Sequence, residues 1–331
     1  MIAVPDGDHW VLDKSAKTNH SHGSKPYERT IEQLLECGVV LVNKPPGPTS
    51  HQLAAWARNI MGINRIGHGG TLDPFATGLL TLLIGRATKV TGTLLTKPKR
   101  YVAVLRFRDS VQPEAISEIL GMMDGEVYNV PPKESAVKVQ VRSRQIHKIR
   151  LLDSDESGRL HVVSIHCDAG TYVRTMARDM GLILGTGCEL LELHRESSGR
   201  FDDSMSCTMQ QLTDAVFMWR EHGDGKGLSR LMAPVESILD EMPRLVVKDG
   251  AVAAVSHGAP LARPGIVSAP KGLGIGSTVL ICSIKGEAVA IASLTVKSDA
   301  LPDMDVGQVA VASTVLMPPG EYPQTWTKEQ S

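Results

Sequence analysis

The sequence predicts an α+β fold for most of the chain, followed by a small all-β barrel. Strand-like segments rich in β-branched residues mix with helix-period segments, without the strict strand–helix rhythm of a doubly wound sheet. Around Glu241-Met242-Pro243 the composition changes, and short alternating segments punctuated by glycines follow. A length of 331 residues with 42% apolar side chains can bury a core in each part and argues against wholesale disorder.

The elements follow in order. Residues 1 to 37 are polar and weakly patterned, and read as an extension or arm. Val39-Val40-Leu41-Val42-Asn43 is a short buried strand, stopped by Lys44-Pro45-Pro46-Gly47-Pro48 because proline fixes φ and brings no donor. Thr49 and Gln52 have capping-box spacing, and Leu53, Trp56, Ala57, Ile60 and Met61 fall on one face of the helix they would open. Tyr101 to Phe107 and Leu160 to Cys167 read as strands. After Asp168-Ala169-Gly170-Thr171, the residues Val173, Met176, Ala177, Met180 and Leu184 repeat at helix spacing, with Gly185 as the stop. Arg174 and Arg178 lie one turn apart, off that stripe. Val279 to Ile284, a Lys285-Gly286 turn and Ala288 to Val296 form a hairpin pattern.

Net charge is −1, so no global positive field points to a nucleic-acid partner. The distribution is less neutral. Arg86 to Arg108 holds seven Lys/Arg and no acid, and Lys133 to Arg150 holds six against the single Glu134. Two basic stretches in one proposed domain favour a phosphate-facing surface, although each alone could be a solvated face. Five cysteines without a Cys-x-x-Cys pair suggest neither a zinc site nor a disulfide framework. The N-terminus shows no basic start followed by an apolar run, and the longest apolar stretch, Gly78 to Gly85, is too short to span a bilayer. A soluble, cytoplasmic protein with no membrane partner is expected.

The chemistry centres on Ile66-Gly67-His68-Gly69-Gly70-Thr71-Leu72-Asp73-Pro74-Phe75-Ala76-Thr77-Gly78. Three glycines within four positions let the backbone approach a ligand or enter positive φ. The proline biases Asp73 toward an extended conformation. Alone, this could be a tight turn with an aspartate accepting local hydrogen bonds. A phosphate loop is disfavoured, since no Gly-Lys-Ser/Thr follows.

Gly69-Gly70-Thr71-Leu72-Asp73-Pro74 with Ala76-Thr77-Gly78 resembles the catalytic loop of the pseudouridine synthases that act on the tRNA T-loop, and of their H/ACA relatives, the dyskerin family. The resemblance continues in order through Lys44 to His51, Lys99-Arg100-Tyr101-Val102-Ala103, Pro131 to Lys138, Ala169-Gly170-Thr171-Tyr172-Val173-Arg174-Thr175 and Leu193-His194-Arg195-Glu196-Ser197-Ser198-Gly199. Together these cover roughly residues 39 to 201. Phe75-Ala76 is closer to the bacterial tRNA enzymes, and His194 stands where arginine is common.

The resemblance implies a mixed, mainly antiparallel sheet with flanking helices, and an isomerase that breaks the N1–C1′ bond of uridine, turns the base and rejoins it through C5. That conversion involves no redox change and implies no cofactor and no metal. Asp73 would be the catalytic carboxylate, attacking base or sugar. Arg174 would pair with it and orient it. Tyr172 would lie near C5 and take or relay its proton. Tyr101 would stack on the uracil, Leu193 would bound the pocket, and His68 would fill space or touch RNA beside the flipped nucleotide. Lys44 would hold the turn after the first strand or meet a phosphate.

Lys248 to Ile266 resembles the core of a PUA domain, a small RNA-binding barrel. Gly258, Arg263 and Gly265 would be its RNA-side residues, the two glycines permitting close approach or serving only as turns. The expected organisation is an extension over 1–37 that packs on the PUA domain, a catalytic domain over 38–242, the PUA domain over 243–318 and a tail over 319–331. The arm, the PUA domain and the Pro132 to Lys138 block favour an archaeal H/ACA enzyme directed by a guide RNA to rRNA and also acting on tRNA. Such an enzyme assembles with a zinc-ribbon-like, a Gly-rich β-barrel and a kink-turn-binding protein. A stand-alone tRNA T-loop enzyme and a catalytically silent RNA scaffold are the alternatives.

Overall fold

The computed structural model describes residues 8–131 and 140–324. Most of the Pro131 to Lys138 block, including Lys133 and Lys138 of the second basic run, lies outside the described residues. The chain packs as two compact units, one drawn from 40–83 and 91–231, the other from 1–39, 84–90 and 232–331.

The first unit is built on a mixed, mainly antiparallel sheet. Its strands run in the order Cys37–Lys44, Thr77–Gly85, Cys188–Ser198, Lys99–Phe107, Leu160–Cys167, Arg142–Ser154 and Gly125–Asn129. A parallel register within it, Thr77 beside His194 and Gly78 beside Arg195, brings the end of the Asp73 loop against the Leu193 strand. The central pairs are antiparallel, with Tyr101 opposite Ile165 on one side and Arg195 on the other. Alternation sends Ala103, Leu105 and Phe107 to the same face as Val163, Ile165 and Cys167. The helices Pro113–Met123 and Val173–Ile183 cover that face with Ile116, Leu120, Met176 and Met180. Apolar burial of this kind is the dominant favourable term in folding.

The Ser50–Met61 helix opens with the expected capping box, Thr49 Oγ1 accepting from Gln52 N at 3.1 Å and Gln52 Oε1 accepting from Thr49 N at 2.8 Å. Its buried face is Leu53, Ala54, Ala57 and Met61; Trp56, expected on that face, is 48% exposed. The 100° step puts Trp56 about 60° beyond Leu53, outside the stripe that runs from Leu53 to Ala54.

The second unit holds a seven-stranded sheet in the order His9–Val11, Ile266–Pro270, Arg244–Val247, Thr278–Ser283, Ala288–Leu294, Gln308–Val315 and Leu261–Ala262. The expected hairpin is its centre, with Leu280 opposite Ile291. A helix, Asp249–Ser256, contributes Val252, Ala253 and Val255 to its core. The extension is more ordered than its polarity predicts. His9–Val11 is an edge strand along Ser268 to Pro270, and Ile31–Glu36 is a helix with its own capping box. Arg29 makes a two-pronged ion pair with the buried Glu236, at 2.9 and 2.8 Å.

Candidate active site

Asp73 sits in the loop between the Ile66–His68 and Thr77–Gly85 strands, and this loop is held by residues on every side. Ser50, buried at the helix start, accepts from Leu72 N at 2.9 Å and donates to Leu72 O at 3.3 Å. Beyond Asp73, Pro74 O accepts from Gly47 N at 2.8 Å, and Ala76 N donates back to Asp73 O at 3.1 Å. Gly70 takes φ +109°, a conformation closed to side chains at little cost only in glycine, and Gly69 leaves no room for one because Leu94 lies against it.

Lys44 closes the loop from beneath. It is fully buried, and its ammonium donates to Pro45 O, Pro74 O and Ala76 O at 3.0, 2.9 and 2.7 Å. Burial pushes its pKa down, while the nearby Asp73 carboxylate pushes it back up. With all three protons given to backbone carbonyls, Lys44 has none for a phosphate, so the expected substrate contact is corrected to a clamp on the loop.

Arg174 reaches the loop from the first turn of the Val173–Ile183 helix. Its Nη2 donates to Asp73 Oδ1 at 2.9 Å, with both side chains about one-third exposed. Among the described residues no hydrogen bond engages Asp73 Oδ2, so one oxygen is tethered and the other carries no such bond. Tyr172, the residue capping that helix, is fixed through its backbone: Tyr172 N donates to Asn129 Oδ1 at 2.9 Å and Asn129 Nδ2 to Tyr172 O at 3.3 Å.

Tyr101 and Leu193 come from adjacent strands. Leu193 is 8% exposed and lies in the same cluster as Leu72, against which Tyr101 also packs. Burial raises the Tyr101 phenol pKa, and the Arg195 guanidinium beside it acts in the opposite sense. Arg195 is buried, donating from Nε to Leu79 O at 2.7 Å and from Nη2 to Gly70 O at 3.2 Å. His68 lies edge-on to His51 at 4.6 Å and, with His51, Arg58, Gly70 and Thr71, lines an open depression of about 490 Å³. Desolvation first, then His51 and Arg195, hold its imidazole down at about 4.

The structure therefore gathers Asp73, Arg174, Tyr101, Leu193 and Lys44 about one loop, with His68 leading into it. Arg195, Ser50 and Asn129 were not singled out from the sequence as site residues. For Arg195 a signal existed: it shares strand parity with the buried Leu193, and an arginine on an inward face must have partners. The first basic run is also partly structural, since Lys99 is buried and donates to Leu94 O and Lys97 O at 2.9 and 2.5 Å.

Gly258, Arg263 and Gly265 belong to the second unit. Gly258 is exposed at φ +91° with open space where a side chain would be. Gly265 instead lies against Ala251, where an added Cβ would come within 2.6 Å, so close helix packing accounts for it. Arg263 Nε donates to Leu301 O at 2.7 Å. Among the described residues no group of histidines, cysteines and carboxylates could hold a metal ion, and no helix is long and apolar enough to cross a membrane.

A sheet of this topology carrying a tethered aspartate, a tyrosine-arginine helix start and a second small sheet defines an RNA-modifying isomerase class. Residues 58–173 match the TruB family pseudouridylate synthase N-terminal domain, 174–240 the tRNA pseudouridylate synthase B C-terminal domain, 243–316 the PUA domain and 5–54 the DKCLD domain. The chain is 38% identical to a probable tRNA pseudouridine synthase B of Methanocaldococcus jannaschii, covering 99% of this chain and 97% of that protein. It is 41% identical to the one of Methanothermobacter thermautotrophicus, covering 95% and 96%. In structure it is similar to a chain of an H/ACA RNP bound to a substrate RNA containing 2′-deoxyuridine, with TM-score 0.86 and 33% identity over 98% of this chain and 99% of that one. A chain of an archaeal box H/ACA sRNP Nop10-Cbf5 complex matches at TM-score 0.85 and 34% identity, covering 97% and 99%. The chain belongs to the TruB family of pseudouridylate synthases.

Proposed function

We propose that this chain is the catalytic subunit of a guide-RNA-dependent H/ACA ribonucleoprotein that converts selected rRNA uridines to pseudouridine, and that it also acts on the tRNA T-loop. The observation that carries this reading is the end-to-end similarity to chains solved within H/ACA complexes, one of them bound to substrate RNA. The partners are the guide RNA, the substrate RNA and small proteins of the zinc-ribbon-like, Gly-rich β-barrel and kink-turn-binding types; a Cbf5-Nop10-Gar1 complex matches the chain at TM-score 0.85. The names of the curated relatives favour a second reading, a tRNA enzyme that needs no guide. The setting is the cytoplasm of an archaeal cell.

Four domains fit this reading: 1–37 as an extension packed on the PUA domain, 38–242 catalytic, 243–318 PUA and 319–331 a tail. Pairing of His9–Val11 with the Ile266–Pro270 strand supports the first assignment.

Asp73 is the catalytic carboxylate. Arg174 holds Oδ1, leaving Oδ2 to meet the flipped nucleotide, where a fixed near-attack geometry replaces part of the activation entropy. The N1–C1′ bond breaks, the base turns, C5 bonds to C1′, and the C5 proton leaves while N1 regains one. Tyr172 relays that proton, Tyr101 stacks on the uracil, Leu193 bounds the pocket and His68 meets RNA at its mouth. In the PUA domain, Gly258 offers exposed backbone to the guide, and Arg263 supplies a cation on the same domain.

Release of tritium from C5-labelled uridine tests the assignment. Faster release from an rRNA fragment when its guide RNA and the small proteins are present supports the guide-dependent reading. Equal release from that fragment without any guide would overturn it.

A further inference from the structure

His194 departs from the arginine common at its position, and its imidazole is bonded on both sides. Nδ1 pairs with Thr77 Oγ1 at 2.8 Å and Nε2 with Asp203 Oδ2 at 2.8 Å. Thr77 is the residue at which the Asp73 loop enters its strand. Asp203 is itself fixed, at the start of a short 3-10 turn where Ser206 N and Ser206 Oγ donate to its carbonyl at 3.0 and 2.6 Å.

The neighbouring Arg195 points to the opposite face of the same strand and takes the carbonyls of Gly70 and Leu79. The ten residues from Gly70 to Leu79, with Asp73 near their middle, are thus gripped from both faces of one strand by consecutive side chains. On the side of the His194 strand the pairing at this junction is short, consisting of Thr77 opposite His194 and Gly78 opposite Arg195. Gly78 lies directly on the Arg195 backbone, so the junction transmits small shifts of that strand to the loop.

We propose that His194 is a positioning residue for the isomerisation: through Asp203 on one side and Thr77 on the other, it sets where the Asp73 loop leaves its strand. The inference rests on the reading of Asp73 as the catalytic carboxylate. The imidazole suits the task because each ring nitrogen makes one bond, on opposite sides of a rigid ring. When neutral, Nε2–H donates to Asp203 and Nδ1 accepts from the Thr77 hydroxyl; when protonated, both nitrogens donate. An arginine has donors only, so it could not accept the Thr77 proton as the neutral imidazole does.

The test uses the full chain assembled with guide RNA and reads single-turnover tritium release, RNA affinity and thermal midpoint together. Thr77→Val removes the hydroxyl and keeps the shape. It is expected to slow the chemical step about tenfold, since displacing a reacting group by a fraction of an ångström is costly, while RNA affinity stays within about twofold. His194→Phe should give a loss of similar size, and the double variant should lose no more than either alone, because both break one chain of bonds. His194→Gln, which retains a donor and an acceptor, should recover part of the rate. A drop in thermal midpoint with an unchanged rate per folded enzyme, or losses that multiply in the double variant, would overturn the proposal. Asp73→Asn run alongside separates the two failures. Turnover in that variant removes the reading of Asp73 itself; no turnover there, with unimpaired Thr77 and His194 variants, removes only the positioning role.

Discussion

Arg174 and Asp73, 101 residues apart in sequence, are joined by a single 2.9 Å contact that engages one carboxylate oxygen and leaves the other free. A bidentate pair would consume both oxygens and bury the reacting group. One-sided tethering fixes direction while sparing an atom for chemistry. Replacing Arg174 by Lys keeps a cation but loses the planar donor that sets the angle. Arg174→Lys is expected to lower the single-turnover rate by about 10²-fold with RNA binding little changed. An RNA affinity that falls as far as the rate would mean that Arg174 serves binding instead.

His68 provides a pH signature. Its folded pKa, about 4, lies below the ordinary 6.5, so between those values the unfolded chain binds a proton that the folded chain refuses. Stability contributed by the neutral imidazole is therefore complete above pH 6.5 and is lost as pH falls toward 4. The loss amounts to at most about 2 kcal/mol for a partly buried ring. Denaturant unfolding of wild type and His68→Gln across pH 4 to 7 should show the wild type falling more steeply. Parallel curves would place the ring in solvent.

The extension should detach on a single methyl. Gly23 takes φ +64°, and a Cβ there would stand 2.5 Å from Glu287 Oε1 and 2.6 Å from the Tyr322 hydroxyl. Glu287 is buried and already accepts from Ser24 N, Ser283 Oγ and Tyr322 OH at 2.8, 2.6 and 2.5 Å, so it cannot retreat without stranding them. Gly23→Ala is expected to lower the thermal midpoint by several degrees, equivalent to about 2 kcal/mol, and to speed tryptic cleavage after Arg29. Unchanged cleavage would show that the arm yields without releasing its contacts.

How much of this was legible depends on whether the signal was local. The Thr49/Gln52 capping box and the Val173 to Leu184 stripe were read directly because helices carry their own periodicity. Thr30 and Gln33 carry the same capping signal, yet the polarity of the surrounding arm obscured it. The His9–Val11 strand had none to offer: three residues pair only because the Ile266–Pro270 edge lies beside them, some 250 residues away. In the site, Asp73 and its companions were recoverable as ordered motifs, whereas the clamps were not. Lys44 shares strand parity with Val40 and Val42 and is drawn inward by the carbonyls of Pro74 and Ala76, which only the folded loop presents, beside that of Pro45. Trp56 errs the other way, an apolar residue that the alanine-lined face of its helix leaves outside.

If the free oxygen of Asp73 performs the chemistry proposed for it, tritium release by Asp73→Asn shows this most directly, under single-turnover conditions with saturating guide-programmed RNA. Asparagine keeps the size and can still meet Arg174 through its carbonyl oxygen, but it lacks the second carboxylate oxygen. No detectable release above the uncatalysed background is expected, with RNA affinity and thermal midpoint close to wild type. Release at a rate near that of the wild type would contradict it.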